Sequence, residues 1–266
     1  MNKRYYFLAG FYRSGNTLLS SILNQNPLIY SSSISPLCEY IWQCSRAMKT
    51  YESSIINNYP NRSNNMISKM IENYYYDVEK PIILEREKGW LEPENVKIIK
   101  EFIDPNPKII FTTRPIVEII ASLINIDYLG IVDSMNNSGY VFDNSISFND
   151  NLCDFLMSDY AGLKRSFSVF ESIDDLKNIG MFHIVKYEDL LDKPEETMSK
   201  IDEFLEIKSF NYNFTNIQRV EEYKEINAGL PEDLHTVRPI LGRSKIKVED
   251  YLSIRSIKKY KDLRYF

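Results

Sequence analysis

The residues with the clearest chemical potential form the segment Gly10-Phe-Tyr-Arg-Ser-Gly-Asn-Thr17, which follows a short apolar run. A glycine-rich turn between a strand and a helix collects backbone N–H groups at the helix N-terminus, and such a cluster binds phosphate. In loops that bind a nucleoside triphosphate, a lysine neutralises the β- and γ-phosphates, but this chain has Asn16 at that position. The loop has a positive charge at another position, that of Arg13. The segment therefore predicts an anion site for a phosphorylated ligand other than MgATP.

A second segment with the chemistry of phosphate binding is Lys108-Ile-Ile-Phe-Thr-Thr-Arg-Pro115, a predicted buried strand that ends in an arginine. A helix with proline at its start follows, and Ser122 lies eight residues after Arg114. A guanidinium group and a hydroxyl spaced in this way can converge on one phosphate. The alternative is that Arg114 only pairs with a neighbouring acidic side chain, and the sequence leaves both interpretations open.

Apolar runs and helical periodicity alternate along the chain and indicate which elements position these residues. We predict strands at residues 5–9, 81–84, 108–112 and 181–186, and a serine-rich loop at residues 28–36. We predict helices at residues 17–24, 37–48, 66–76, 93–102, 116–126, 152–170 and 195–205. This alternation is typical of an α/β fold with a mostly parallel central sheet flanked by helices, in which ligands bind beyond the carboxyl ends of the strands. We expect one domain over residues 1–266, with residues 127–147, rich in Asn, Ser and Gly, as a candidate lid or insertion.

The composition is that of an ordinary globular protein, with 44% hydrophobic and 26% charged residues in a chain of 266. A net charge of −5 argues against a general nucleic-acid-binding protein, which needs clustered lysine and arginine. The charge is uneven, because residues 235–266 hold nine Lys/Arg and three acidic residues, a net +6 that leaves −11 for the rest. This basic segment either closes over a polyanionic ligand or forms a solvated surface.

The three cysteines form no C-x-x-C pair and lack an accompanying histidine spacing, so neither a disulfide framework nor a zinc site is predicted. No apolar run of about 18 residues and no signal-peptide pattern occur, and we therefore expect a cytoplasmic protein without a membrane span. Of the two histidines, His183 lies within an apolar strand and is expected to be a core residue. His235 belongs to a basic loop at residues 234–245, which is a candidate cap for a bound nucleotide.

A third segment, Ile184-Val-Lys-Tyr-Glu-Asp-Leu190, runs from a predicted strand directly into a helix. Together with residues 9–19 and 114–122, in this order, it resembles the sulfotransferase superfamily that uses 3′-phosphoadenosine 5′-phosphosulfate (PAPS). The sequences of these segments most resemble those of tyrosylprotein sulfotransferases and of small bacterial or phage sulfotransferases. The resemblance covers roughly residues 4–207. Each segment alone is moderately specific for this superfamily, and the three segments in this order are strongly specific for it.

The resemblance implies a P-loop-like three-layer fold and transfer of a sulfuryl group from PAPS to a hydroxyl or amine acceptor, with 3′-phosphoadenosine 5′-phosphate (PAP) as product and no metal. It implies that the loop holds the 5′-phosphate through Arg13, Ser14, Gly15, Asn16 and Thr17. It further implies that the 3′-phosphate is held by Arg114 and Ser122, and that Tyr187 lies against the adenine. In this scheme Arg13 also stabilises the negative charge that grows on the bridging oxygen as the sulfuryl group leaves.

Two residues of the loop depart from the family pattern. Tyr12 replaces the usual proline, and Asn16 replaces the usual threonine. A proline would stiffen the loop, and a threonine would offer one more hydroxyl to the phosphate. The departures raise the question of how this loop is held in shape.

The acceptor side is predicted at Glu85-Arg-Glu-Lys-Gly-Trp90, a loop that leaves the second strand where related enzymes have catalytic cations. Arg86 and Lys88 are candidates for charge stabilisation of the transferring group. Some related enzymes have a histidine base here, but this chain has no histidine in the loop. The candidate general bases are three carboxylates, those of Glu85, Glu87 and Glu39. The alternative for these alternating charges is a solvated loop.

Two other functions remain possible for the sequence. A nucleotide or small-molecule kinase with a degenerate phosphate loop is disfavoured, because no predicted strand ends in the Mg²⁺-holding aspartate of that class. An inactive nucleotide-binding scaffold stays open, because the sequence does not assign the general base. For the sulfotransferase, the expected partner is an acceptor substrate, which is a small molecule, sugar, lipid or peptide.

Overall fold

The computed structural model describes residues 3–32, 34–57, 60–172, 180–219, 236–243 and 245–263, so the predicted role of His235 lies outside the described residues. The strands are β1 (Arg4–Gly10), β2 (Ile29–Ser31), β3 (Ile82–Arg86), β4 (Ile109–Thr113) and β5 (Phe182–Lys186). They form one five-stranded sheet in the order β2-β3-β1-β4-β5, and every neighbouring pair is parallel. The predicted α/β class with a parallel sheet is therefore confirmed.

Helices connect these strands, as a parallel sheet requires. The described helices are α1 (Asn16–Leu23), α2 (Leu37–Thr50), α3 (Glu52–Asn57), α4 (Pro60–Tyr74), α5 (Pro93–Phe102), α6 (Ile116–Asn137), α7 (Phe148–Leu156), α8 (Gly162–Ser172), α9 (Tyr187–Asp192), α10 (Pro194–Phe204) and α11 (Ile254–Tyr260). Short 3₁₀ turns lie at Lys88–Leu91 and Val248–Asp250. None of the described helices combines the length and apolar character needed to cross a bilayer.

Alternate residues along the strands supply two hydrophobic cores, one on each face of the sheet. Phe7 and Phe111 belong to the core that α2, α5 and α6 cover. Leu8 and Ile110, one residue out of phase, belong to the core that α1 and α10 cover. Helices thus pack on both faces, which gives the three layers expected from the sequence. His183 stacks on Phe204, with ring centroids 5.2 Å apart, as expected for a structural residue.

The edge strand β2 was not predicted. Residues 28–36 were assigned to a loop, yet Ile29–Ser31 pairs in parallel with β3. Both Ile29 and Ser31 are fully buried. Three residues are too few for an alternating pattern to appear in a sequence, so this strand forms because β3 offers it a neighbour.

Two predicted helix boundaries are wrong. The predicted helix at 116–126 continues to Asn137, with a kink at Asp127 where φ is −137° and ψ is 43°. Ile131 and Met135 are buried beyond the kink, so tertiary packing extends a helix through a stretch of weak helix formers. The candidate lid at 127–147 is therefore helical in its first half. The single helix predicted at 152–170 is instead α7 and α8, separated by a turn.

The C-terminal helix α11 is fastened to α7 by a buried carboxylate. Asp150 accepts hydrogen bonds from the hydroxyls of Ser147 (2.7 Å) and Ser256 (2.6 Å), and from that of Ser253. Burial alone would raise the pKa of Asp150, but these bonds and the charge of Arg255 lower the pKa to about 2. This anchor fixes the end of the basic C-terminal segment against the body of the protein.

The anchor predicts a specific acid sensitivity. Because the folded-state pKa of Asp150 lies below its ordinary value of 3.8, its contribution to stability is complete above about pH 4. That contribution is lost as the pH falls toward about 2. Asp150→Asn should therefore lower the melting temperature at neutral pH and flatten its decline between about pH 5 and 2, measured by circular dichroism. The control is Asp159→Asn at an exposed carboxylate, and identical pH curves for wild type and Asp150→Asn would contradict the prediction.

Candidate active site

A cavity of about 970 Å³ opens at the carboxyl ends of β1, β3 and β4, which is enough space for a nucleotide. Its walls come from the loop after β1, the loop after β3, helix α6, the start of α9 and the C-terminal segment at residues 236–251. The charged residues that line it are Arg13, Arg86, Glu87, Lys88, Arg114, Asp127, Arg238, Lys245 and Asp250. Cations outnumber acids in this lining although the whole chain is acidic, so the cavity favours an anionic ligand.

The loop after β1 has the backbone shape of an anion cradle. Arg13 and Gly15 have positive φ angles of 58° and 89°, and α1 begins at Asn16. Such left-handed residues beside a helix N-terminus turn successive N–H groups toward one point. A Cβ on Gly15 would meet the ring of Tyr187 at 2.8 Å, so only glycine fits here. The cradle therefore depends on a glycine that packs against the first residue of α9.

The side chains of Ser14 and Asn16 form hydrogen bonds with Phe11 and Thr112, at the base of the loop. Ser14 is buried, and its Oγ lies 2.7 Å from the carbonyl oxygen of Phe11 and 2.6 Å from Oγ1 of Thr112. Asn16 donates from Nδ2 to the Phe11 carbonyl (3.0 Å) and accepts at Oδ1 from Thr112 (2.7 Å). Among the predicted 5′-phosphate residues, Arg13, Gly15, Asn16 and Thr17 line the cavity, whereas Ser14 does not. The Ser14 hydroxyl is used inside the loop, so a contribution of Ser14 to the 5′-phosphate would come from its backbone.

The two arginines expected at opposite ends of the ligand lie in the same cavity. Arg114 donates from Nη1 to the carbonyl oxygen of Arg13 at 3.0 Å, and Arg13 donates from Nε to Oγ of Ser122 at 3.1 Å. Arg114 also pairs through Nε with Glu118 at 3.0 Å. Arg114 therefore pairs with a neighbouring acid, as one interpretation expected, and it also lines the cavity, so its role toward a phosphate stays a prediction. The Glu118 contact holds the guanidinium group in place while other N–H donors are available to a ligand.

Tyr187 forms an aromatic wall of the cavity. The guanidinium carbon of Arg114 lies 4.6 Å from the centre of its ring, which is a cation–π contact. The same ring lies against Gly15. Tyr187 therefore contacts both the cradle and the arginine at the end of β4, and its predicted contact with an adenine stays a prediction.

The loop after β3 brings charges to the other end of the cavity. Arg86 donates from Nη1 to Oγ1 of Thr17 at 3.0 Å. Lys88 donates to the hydroxyl of Tyr12 and lies 4.4 Å from the centre of its ring. Glu87, between these two cations, lines the cavity, and burial raises the pKa of its carboxyl. These contacts join the predicted acceptor side to the phosphate loop.

The other two candidate bases lie elsewhere. Glu85 is completely buried, accepts hydrogen bonds from Ser32 (3.2 Å) and Tyr75, and does not line the cavity. Burial raises the pKa of its carboxyl to about 7. A catalytic base must touch the proton that it removes, so the predicted catalytic role of Glu85 is not supported by this position. Glu39 is exposed on α2, where it accepts a hydrogen bond from Gln43 at 2.6 Å.

The C-terminal segment covers the cavity. Arg238 and Lys245 line it, as the interpretation of a basic segment over an anionic ligand requires. Tyr251 also lines it and donates its hydroxyl to Asn125 of α6. Sequence reasoning missed the wall residues Asn125 and Asp127, although Asn125 lies one helical turn beyond Ser122. Within the described residues, His, Cys, Asp and Glu form no group able to hold a metal ion.

Comparisons with known proteins agree with this geometry. The sequence matches the family described as sulfotransferase domain over residues 3–228. Among curated proteins, no sequence matches with significant similarity.

Similar folds occur in several solved structures. Mouse sulfotransferase SULT7A1 complexed with PAP is 15% identical with a TM-score of 0.53, and the match covers 99% of this chain and 84% of that one. The sulfotransferase domain from the curacin biosynthetic pathway is 14% identical with a TM-score of 0.52, covering 99% and 88%. The sulfotransferase from Alicyclobacillus acidocaldarius is 13% identical with a TM-score of 0.51, covering 86% and 90%. At these identities the likeness concerns the fold, and the family match over most of the chain carries the assignment: this chain belongs to the sulfotransferase domain family and is a PAPS-dependent sulfotransferase.

Proposed function

We propose that the cavity at the ends of β1, β3 and β4 holds PAPS and transfers its sulfuryl group to a hydroxyl or amine acceptor. The observation that carries this proposal is the shared cavity of Arg13 and Arg114, linked by the hydrogen bond from Arg114 to the Arg13 carbonyl. A ligand with a phosphate at each end of one nucleoside matches two arginines that line one cavity. Binding of an anionic ligand would account for the concentration of cations in this cavity of an otherwise acidic chain.

The proposal gives the donor one orientation in the cavity. In our proposal the N–H groups of the loop, the N-terminus of α1 and Thr17 hold the 5′-phosphosulfate. Arg114 and Ser122 hold the 3′-phosphate, and the exposed cations Arg238 and Lys245 of the C-terminal segment close over it. The ring of Tyr187 offers a flat surface for the adenine.

The chemistry requires charge stabilisation more than covalent participation. Bound PAPS supplies the sulfuryl group, whose sulfur joins the acceptor atom as its bond to the 5′-phosphate oxygen breaks and the electron pair stays with that oxygen. In this proposal Arg13 and Arg86 stabilise the charge on the departing oxygen, in keeping with the Arg86 contact to Thr17 beside the loop. Lys88 stabilises the oxygens of the sulfuryl group from the acceptor side. The protein thus contributes alignment and fixed positive charge to an in-line transfer.

Glu87 is the general base that the geometry favours. It lines the cavity between two cationic residues, whereas Glu85 is sealed beneath the site and Glu39 lies on the exposed face of α2. A raised pKa makes its carboxylate a better proton acceptor, provided that the pH stays above that pKa. In this proposal Glu87 takes the proton of the acceptor hydroxyl or amine as the new bond to sulfur forms.

The donor proposal predicts selective binding of PAP. Saturating PAP should raise the melting temperature by about 5–8 °C, AMP by less, and ATP with Mg²⁺ very little, in a thermal-shift assay. Arg114→Ala should remove most of the additional PAP effect and reduce the AMP effect by less, because AMP lacks the 3′-phosphate but still binds the loop that Arg114 holds. The matched control is Arg165→Ala, an exposed arginine paired with Glu92 outside the cavity. A larger shift with MgATP than with PAP would favour a kinase and refute the proposal.

The base proposal predicts a pH profile. The rate of PAP release from PAPS, with an acceptor found in a panel of phenols, sugars, peptides and amines, should rise with pH through the raised pKa of Glu87. Glu87→Gln should lower kcat by about 10²- to 10⁴-fold and abolish that rise, because the amide neither accepts the proton nor titrates. Glu39→Gln serves as the control and should behave as wild type. An unchanged profile in Glu87→Gln would exclude this base, and failure of every acceptor would favour a scaffold.

A further inference from the structure

We propose that Thr112, at the end of β4, is a positioning residue for the 5′-phosphate: its hydroxyl holds Ser14 and Asn16 so that the loop presents its N–H groups to the cavity. The inference rests on the proposed function in one respect, namely that the loop after β1 binds the 5′-phosphate. Thr112 itself is buried and does not line the cavity, so it acts through the loop.

The direction of each hydrogen bond follows from the number of protons available. The amide oxygen of Asn16 has no proton, so Thr112 must be the donor in their 2.7 Å contact. A hydroxyl has one proton, so Thr112 cannot also donate to Ser14. The single proton of Ser14 faces two acceptors, the carbonyl oxygen of Phe11 at 2.7 Å and Oγ1 of Thr112 at 2.6 Å. The two hydroxyls thus supply one proton each, and Asn16 adds a third bond by donating from Nδ2 to the carbonyl of Phe11.

These contacts connect three points of the loop to β4. They join the end of β1 at Phe11, the middle of the loop at Ser14 and the first residue of α1 at Asn16, all through one hydroxyl on the neighbouring strand. The backbone of the two strands also joins here, because the N–H of Phe11 donates to the carbonyl of Thr112 at 3.2 Å.

The approach of the strands leaves no spare room at this point. A Cβ on Gly10 would lie 2.1 Å from Oγ1 of Thr112 and 2.6 Å from Oδ1 of Asn16. The glycine that opens the loop therefore makes space for the Thr112 hydroxyl and its acceptor. Ser14 and Thr112 are buried and Asn16 is half-buried, and hydrogen bonds between side chains in such a place favour one conformation of the loop.

The two departures from the family pattern have a common explanation in these contacts. Tyr12 stands where a proline ring would stiffen the loop, and the side-chain bonds of Thr112 and Asn16 supply that stiffness instead. Asn16 donates and accepts at once, which a threonine in its position could do only through a single hydroxyl. The amide of Asn16 thus links the loop both to its own backbone at Phe11 and to Thr112 of β4.

Thr112→Val tests the proposal, because valine keeps the shape and removes the hydroxyl. Isothermal titration should show PAP and AMP binding weakened about 10-fold, the cost of one broken buried hydrogen bond. Binding of adenosine 3′-phosphate, which lacks the 5′-phosphate, should change by less than about 2-fold. Thr112→Ser should restore PAP binding, since it restores the donor. Thr113→Val, the next position on the same strand with its side chain on the opposite face, is the matched control.

Other results separate the possible explanations. Equal loss of all three ligands in Thr112→Val would indicate general damage to the fold and overturn the proposal, as would wild-type affinity for PAP. Should Thr112→Val fail to fold, Ser14→Ala removes the hydroxyl that contacts Oγ1 of Thr112 and should give the same ligand pattern. Absence of PAP binding in the wild type would instead sink the proposed function.

Discussion

The cavity depends on the contact by which Arg114, at the end of β4, holds the carbonyl of Arg13 in the loop after β1. Parallel strands bring their carboxyl ends to one edge, but pairing of strands alone does not decide how a loop stands above that edge. The guanidinium group of Arg114 binds the loop backbone and so fixes the position of the loop relative to the end of β4. Glu118 and the ring of Tyr187 hold the same guanidinium group from two other sides.

Concentrated positive charge is costly, and the structure offsets it in two ways. Glu118, Glu87 and Asp127 lie next to the cations or share their cavity, so their charges reduce the mutual repulsion. An anionic ligand completes the compensation. The same logic explains why an acidic chain ends in a basic segment that lines the cavity with Arg238 and Lys245.

Buried polar groups beneath the site hold its loop and strands in place through hydrogen bonds. Thr112, Ser14 and Asn16 hold the loop, while Glu85 with Ser32 and Tyr75 ties β3 to the start of the chain segment after β2. Glu85 was a candidate general base in the sequence because it lies in the same charged segment as Arg86 and Lys88. Alternation along a strand sends it to the opposite side from its neighbours, and the carboxylate becomes a support of the site.

The sequence by itself determined the layout of this protein: which strands alternate with helices, which loop forms the turn between β1 and α1, and that Arg13, Arg114 and Tyr187 belong together, since they line one cavity. These conclusions rest on local patterns, namely glycines with special backbone angles, apolar periodicity, and chemically distinctive residues at strand ends. Only the tertiary structure decided that β2 is a strand, that α6 continues past Asp127, that Glu87 and not Glu85 faces the cavity, and that Thr112 holds the loop. Each of these depends on contacts between residues far apart in the chain, whose free energy no local pattern of sequence records.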